Sequence, residues 1–427
     1  MITLWYPTNS DKHQVAGRLN KHRCLKGDSP TLGNIFEAVP DFYDEFKIKK
    51  IYHDTVDKSE VNLALIRASS ISSNSTKWDW EDIKKWCDWC IEKDIRIALD
   101  DSWEFGSPFV NSQRGQFHRV KEYLIKNNIK IITNIPSLHH KFKWNTVRDS
   151  WFLPDKEKYY DKIYVNFDQF FYLTRYQHQT FNASFKMRTY PSISQTKKYL
   201  FSALVGDILK RRNTSLIGSL YYNNLINEDS FYTAINTDNK IPQELWLDNH
   251  NLPEIEDYIN KNKEKVFKHK PFELNYQNLE ENDDPMIDER RIPQELYDSH
   301  FAVNVETMDQ PFFFTEKTFK NILAKVPFIT FGGSYFTAGL KEYHGFEMYD
   351  EIFDYSFEND IPENSKHGKY IQGIVDNIKR LKKEPVSIFY QPSVKEKLDY
   401  NEHIYYKNTT SIKIKESLEQ LFLEVLQ

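Results

Sequence analysis

Hydrophobic and polar positions along this chain follow two alternating periods. Short runs rich in β-branched, leucine and aromatic residues fall at 2–6, 48–53, 61–67, 95–99, 129–134 and 163–166, which predicts strands. Between them, apolar residues recur at spacings of three and four over 80–92, 116–127 and 168–179, which predicts helices. The second half repeats the scheme. Strands are expected at 199–205, 231–235, 301–305 and 327–331, and helices at 212–225, 315–325 and 336–344. Residues 240–299 are polar and loop-rich, with an acidic run at 280–284, and the chain from about 368 reads as helices with charged faces.

Strands that alternate with helices imply βαβ units and a mostly parallel sheet. At 427 residues the chain exceeds what one core covers. A Pro/Ser/Lys stretch at 191–198 separates the two series. The expected fold class is therefore α/β, with two Rossmann-like domains facing a cleft. Residues 1–190 and 199–360 form the domains, and a helical tail, 361–427, packs back on them.

Charge changes this picture little. The chain carries 57 Lys+Arg against 62 Asp+Glu, a net charge of −5, so no global basic field marks it for nucleic acid or an anionic membrane. A local basic groove is still compatible with that balance. No apolar run reaches the length of a membrane span, and the N-terminus lacks the basic start and apolar core of a signal peptide. A cytoplasmic location, no membrane partner and a monomeric state are the expectations. Glycine is scarce, at 13, while Tyr, Phe, Lys, Asn and Ile are abundant, a bias typical of AT-rich coding sequence. The three cysteines cannot all pair, which fits reduced thiols. Cys87 and Cys90 have the C-x-x-C spacing of a redox or zinc site. They lie within a helical pattern and no second ligand pair follows, so a core position is the expectation.

The densest chemistry lies between residues 301 and 333. There a strand ending at Glu306 leads through a loop to Thr315-Glu316-Lys317-Thr318, a helix, and an apolar strand. In an open α/β sheet, the carboxyl ends of strands are where ligands bind. Thr315 suits a helix N-cap, its oxygen on the free N–H groups, and Glu316 is favoured by the helix dipole. A capped helix alone explains those two residues. It does not explain Lys317, a cation at the positive end of a helix, or Glu306 in the same corner. A carboxylate that grips sugar hydroxyls beside a lysine and a helix N-terminus that grip phosphate would suit a nucleotide sugar. A second cluster, Lys210-Arg211-Arg212, stands where the strand at 199–205 passes into a helix. It is either a solvated basic turn or a pyrophosphate site.

Val305-Glu306-Thr307, Phe314-Thr315-Glu316-Lys317-Thr318-Phe319 and Val326-Pro327-Phe328-Ile329-Thr330-Phe331-Gly332 together resemble the donor-site signature of the α1,3-fucosyltransferase family. They also resemble a broader group of phage-encoded glycosyltransferase-like proteins. The resemblance spans roughly 200–355 and departs at Thr307, where the fucosyltransferases have Asn. It implies a GT-B type glycosyltransferase, with residues 199–360 binding the nucleotide-sugar donor and residues 1–190 the acceptor. It further implies that Glu316 holds ribose or sugar hydroxyls, and that Lys317 with Arg211 or Arg212 holds the diphosphate. UDP-sugar is the first expectation for the donor and GDP-sugar the second. Direct displacement with inversion is expected.

The sequence has no two aspartates separated by one residue, the pair with which single-domain glycosyltransferases hold a divalent ion. No essential metal or other cofactor is therefore expected. A general base for the acceptor hydroxyl should come from the first domain. Asp100, Asp101 and Glu104, where a strand runs out at its carboxyl end, are the first candidates, although Asp there is also common turn chemistry. His139 and His140 are weaker candidates. For the acceptor, basic residues interleave with aromatics in His139, His140, Lys141, Lys143 and Trp144, with Trp103, His118, Arg119 and Arg148 nearby in sequence. That mixture suits phosphate contacts with base stacking, or an ordinary solvated surface. DNA is the favoured acceptor, through the hydroxyl of a hydroxymethylated cytosine, with glucosyl or arabinosyl transfer. Two other classes stay open: a glycan- or protein-directed transferase of fucosyltransferase type, and a non-catalytic DNA- or virion-associated protein.

Overall fold

A computed structural model describes residues 2–6, 46–50, 54–67, 80–101, 122–133, 164–168, 171, 172, 174, 197–236, 238–243, 253–270, 292–306, 314–359 and 366–427. The chain divides into two compact units. One comprises Met1–Tyr176 with Asn408–Gln427, and the other Gln177–Lys407.

The first unit is built on a six-stranded sheet of β1 (Ile2–Tyr6), β2 (Phe46–Lys50), β3 (Val61–Arg67), β4 (Arg96–Asp101), β5 (Lys130–Thr133) and β6 (Tyr164–Asn166). The order is β2-β1-β3-β4-β5-β6, and every pairing is parallel. Such a sheet must be covered on both faces, and the alternation of side chains shows how. Trp5, Ala64, Ile66, Ile97, Leu99 and Ile131 pack on one face with Trp86, Cys87 and Cys90 of helix α1 (Trp80–Glu92). Leu4, Leu63, Leu65, Ala98, Ile132 and Val165, one residue out of step, form the other face. Its cover comes from the far end of the chain: Ile414, Leu418, Leu421, Phe422 and Val425. Each such side chain contributes about 1.5–3 kcal/mol on burial. The tail expected as one segment over 361–427 therefore divides, its last helix belonging to the N-terminal sheet.

Both thiols of the C-x-x-C pair are fully buried, and burial pushes Cys90 up to about 12 and Cys87 well above the usual thiol range. That is a packing environment, opposite to the one that activates a cysteine.

The second unit holds β7 (Tyr199–Asp207), β8 (Ser230–Ile235), β9 (Ser299–Val305) and β10 (Phe328–Phe331), in the order β10-β9-β7-β8 and again all parallel. Helices α2 (Arg211–Tyr222), α3 (Pro253–Lys261), α4 (Glu316–Leu323), α5 (Lys366–Leu381) and α6 (Pro392–Asn408) accompany it, and α7 (Ser411–Leu426) is the helix that returns to the first unit. All seven residues of β9 are buried, as a central strand covered on both faces requires. Phe301 of β9 stacks with Phe201 of β7 and with Phe389. The expected helix over 336–344 changes character midway: Phe336–Gly339 is α-helical and Leu340–His344 is a π-turn. His344 is buried there among Phe314, Phe319 and Phe346.

Scarce glycine has a backbone consequence. Among the described residues, left-handed positions outside glycine are filled by Asp94, Asn128, Asn224, Asn239, Lys325 and Tyr335, with φ from 48° to 59°. Asn and Asp tolerate that region best among residues with a side chain. The fold class is thus α/β with two Rossmann-like units, as the pattern predicts. No helix among the described residues is long and apolar enough to cross a membrane.

Candidate functional site

Parallel order brings the carboxyl ends of β7, β9 and β10 to one edge of the second sheet, and helices α2 and α4 start from that edge. Glu306 follows β9 directly and is buried, 1% exposed. Its N–H donates to the carbonyl of Phe331 at the end of β10, 3.1 Å away. Its carboxylate is surrounded by donors. Oε2 accepts from Thr315 Oγ1 at 2.6 Å, and Oε1 from the Thr315 N–H at 3.2 Å, from Asn304 Nδ2 at 3.4 Å, and from Thr318 Oγ1. Asn304 Nδ2 also donates to Thr318 Oγ1 at 2.9 Å. Burial pushes the Glu306 carboxyl up, opposed by Lys317 and by the two threonine hydroxyls.

This geometry changes the part expected of Glu306. Its oxygens are committed to the loop end and to the first turn of α4, so it braces the site and does not grip a sugar. Thr315 is the N-cap expected of it, accepting from the Lys317 N–H at 3.3 Å.

Glu316 and Lys317 open α4 side by side, their side chains 19% and 27% exposed, as an ion pair at 2.7 Å. Burial pushes the Glu316 carboxyl up, but Lys317 and Lys320 outweigh it and hold the group below the usual carboxylate range. Lys320 is only 8% exposed. Its spacing of four from Glu316 is visible in the sequence, but its burial is not.

The basic turn lies in the same corner. Arg212 is buried, its Nη2 donating to the Phe331 carbonyl at 2.7 Å and its guanidinium 4.5 Å from the Phe331 ring centroid. One carbonyl thus ties the start of α2 to Glu306 and the end of β10. Arg211 is exposed, Lys210 occupies the N-cap position, and the first turn of α2 contains no acid. The turn is held in shape by Asn213 Nδ2 on the Asp207 carbonyl at 2.8 Å and by Thr214 Oγ1 on the Ile208 carbonyl at 2.5 Å. Two helix N-termini and a set of cations therefore meet where anions are favoured.

Asp100 and Asp101 take the last two positions of β4, at the carboxyl edge of the first sheet, level with Ile132 and Thr133 of β5. Glu104, His139, His140, Lys141, Lys143 and Trp144 lie outside the described residues, as do Trp103, His118, Arg119, Arg148 and Thr307. Among the described residues, no three His, Cys, Asp or Glu side chains group as a metal site.

An open cavity of about 570 Å³ also lies in the second unit, lined by Thr337, Lys341, Asp350, Asp354, Glu358 and Arg380 among others. Glu358 is buried and accepts from the Thr337 N–H at 2.7 Å and Thr337 Oγ1 at 2.8 Å; burial pushes it up to about 7. Nothing in the residue pattern points to this cavity.

No family model matches the chain, and no curated protein does. Among solved structures, a protein described as a UDP-N-acetylglucosamine 2-epimerase from Listeria monocytogenes aligns over 94% of this chain and 94% of its own, at 8% identity and a TM-score of 0.38. A likeness of that degree carries no argument about function.

Proposed function

We infer that the carboxyl edge of the second unit binds the diphosphate of a nucleotide sugar, and that the protein is a glycosyltransferase acting without an essential metal. The observation that supports this most is the Glu316–Lys317 pair at the N-terminus of α4, in one corner with the cationic start of α2. A carboxylate kept ionised by neighbouring cations accepts from vicinal hydroxyls. Lys317, the arginines and two helix N-termini offset the negative charge of a diphosphate.

The reaction follows from those parts. An acceptor hydroxyl oxygen attacks the anomeric carbon, and the bond from that carbon to the diphosphate oxygen breaks. The diphosphate leaves with the electron pair, and the hydroxyl proton passes to a base. Stabilising charge that develops on the leaving group is the largest contribution such a site makes. For the base we favour Asp100, Asp101 or Glu104. For the acceptor we favour the hydroxyl of hydroxymethylcytosine in DNA, on the basic and aromatic residues around 139–144.

The test is a panel of UDP-, GDP- and dTDP-sugars offered with hydroxymethylcytosine DNA or with oligosaccharide, followed by digestion and mass measurement, with and without EDTA. A sugar-sized mass gain on the nucleoside, unchanged by EDTA, is expected. Gain on the oligosaccharide alone moves the acceptor to glycans. No gain, together with no calorimetric binding of any donor, overturns the reading.

A further inference from the structure

One buried group at the donor edge has half of its hydrogen bonding unanswered. Asn213, the third residue of α2, is 5% exposed. Side chains in a first helical turn lean back toward the N-terminus. Asn213 Nδ2 accordingly donates to the Asp207 carbonyl at the end of β7, 2.8 Å away. That carbonyl can only accept, so it fixes which end of the amide is oxygen. The bond accounts for the donor half of the side chain and for its place in the turn. It leaves Oδ1, which is enclosed and has no hydrogen-bond partner among the described residues. Ser202 and Ser219 have unpartnered hydroxyls as well, but they lie within β7 and about two turns along α2, away from the edge.

A carbonyl oxygen buried without a donor costs about as much as a broken hydrogen bond, so one kept in place calls for a reason. Its surroundings define the partner. The start of α2 favours an anion: its N-cap residue, Lys210, makes no side-chain cap, and its first turn contains no acid. Phosphate oxygens answer helix N–H groups but not Oδ1, because an ionised diphosphate diester brings acceptors only. Oδ1 needs an O–H or N–H carried by the same ligand. A nucleotide sugar has such groups on both flanks of its diphosphate, ribose hydroxyls and a base N–H on one and sugar hydroxyls on the other. β7 and β9 are neighbours in the sheet, so α2 and α4 start side by side, one with Asn213 and the other with Glu316.

We propose that Asn213 is a specificity-determining residue whose Oδ1 accepts a hydrogen bond from a hydroxyl or N–H group of the donor beside the diphosphate. This rests on the donor-site reading above. The exposed end of the turn, Leu209, Lys210 and Arg211, gives way as the donor seats and opens the oxygen to it. A donor that lacks the group leaves Oδ1 buried and unpaired, and is rejected for that reason.

The experiment uses the full chain with UDP-glucose and GDP-fucose as probes, beside forms of each that lack one donor group. These are the 2′-deoxyribose and 3′-deoxyribose forms, the base N-methylated at its ring N–H, and singly deoxygenated sugars. Calorimetry gives each affinity for the native protein and for Asn213→Ala. Native protein should lose about tenfold to a hundredfold toward the form without the recognised group. In Asn213→Ala that ratio should collapse to within about threefold, whatever the variant does to binding overall. A role confined to shaping the turn weakens all forms alike and leaves the ratio standing. The form that shows the collapse assigns the group to ribose, base or sugar. If Asn213→Ala fails to fold by circular dichroism, Asn213→Ser takes its place. Flat affinities across the series for native protein, as a resident water on Oδ1 would give, overturn the proposal and leave the donor site standing. A ratio that persists in the variant does the same. Binding of neither probe by the native protein removes both.

Discussion

Two buried groups of the second unit should oppose one another in the pH dependence of its stability. Glu358 titrates at about 7 in the fold, against an ordinary value of 4.5. The folded state therefore binds the extra proton across that window, and Glu358 contributes stability that is complete below 4.5 and lost as pH rises through 7. Over that span the loss is about 3 kcal/mol. His300 works the other way. Buried against Phe389, with Lys197 nearby, it is pushed down to about 4 from 6.5, so its contribution is present above 6.5 and lost as pH falls through 4. Discounted for partial solvent screening, that is about 2 kcal/mol. The two contributions oppose one another over most of that window, leaving from this pair a net fall of about 1 kcal/mol.

Glu358→Gln should uncover the histidine. Glutamine keeps the fold, since its Oε1 can accept the Thr337 N–H while its amide donates to the Thr337 hydroxyl, and Tyr335 N–H still reaches the residue 358 carbonyl, 3.1 Å in the native chain. Urea denaturation followed by circular dichroism gives the curves. Hydrogen exchange of the Ser299–Val305 strand assigns the transition to the second unit. Subtracting the variant from the native curve should leave a fall of about 3 kcal/mol between pH 4.5 and 7. His300→Asn should leave the reverse slope. Lys197, pushed down to about 8 by burial, titrates above this window. A flat difference curve for Glu358→Gln would refute the assignment of that proton.

Other variants test the corner and the cores. Lys317→Ala or Glu316→Ala should weaken donor binding by about tenfold to a hundredfold, as loss of a charged hydrogen bond does, with little change in melting temperature; calorimetry with unchanged affinity would remove both from the site. Thr318→Val takes away the hydroxyl that donates to Glu306 and accepts from Asn304. It should destabilise the second unit by about 1–3 kcal/mol in urea. Gly206→Ala places a methyl where no atom lies within 4 Å, whereas Gly218→Ala places one 2.4 Å from Ile259. The first should alter stability by less than about 0.5 kcal/mol and the second cost about 1–3 kcal/mol. The buried Cys87 and Cys90 should resist thiol reagents in the folded protein and react only on unfolding, read by mass spectrometry.

The strands were legible because a parallel strand buried on both faces is a short apolar run, and helix α1 was legible to the residue because its apolar positions return every three or four. Their ends were less so. β7 runs on to Asp207 through Gly206, with a register shift against β8 between Leu204 and Asp207, and neither glycine nor a bulge signals a continuing strand. Helix α7 shows a different limit. Its apolar stripe announces that one face is buried, but the surface that it covers is formed by Leu4, Leu63 and Ala98, more than three hundred residues earlier. Periodicity identifies a buried face and cannot name its partner.

The same limit divides the site. Glu306, Thr315, Glu316 and Lys317 could be placed together because a strand, a loop and a helix in succession bring their junctions to one edge. What each carboxylate does depends on the donors around it. Thr318, three residues past the N-cap, offers Glu306 a hydroxyl from the first turn of α4. That claim on its oxygens turns a candidate sugar ligand into a brace. Glu316 lacks such a brace and has cations as neighbours, so it is the carboxylate that stays available. Two glutamates ten residues apart in one motif thus divide the work by environment, one buried among neutral donors and one paired with charge. Only the second can exchange its partner for a ligand without unmaking the loop.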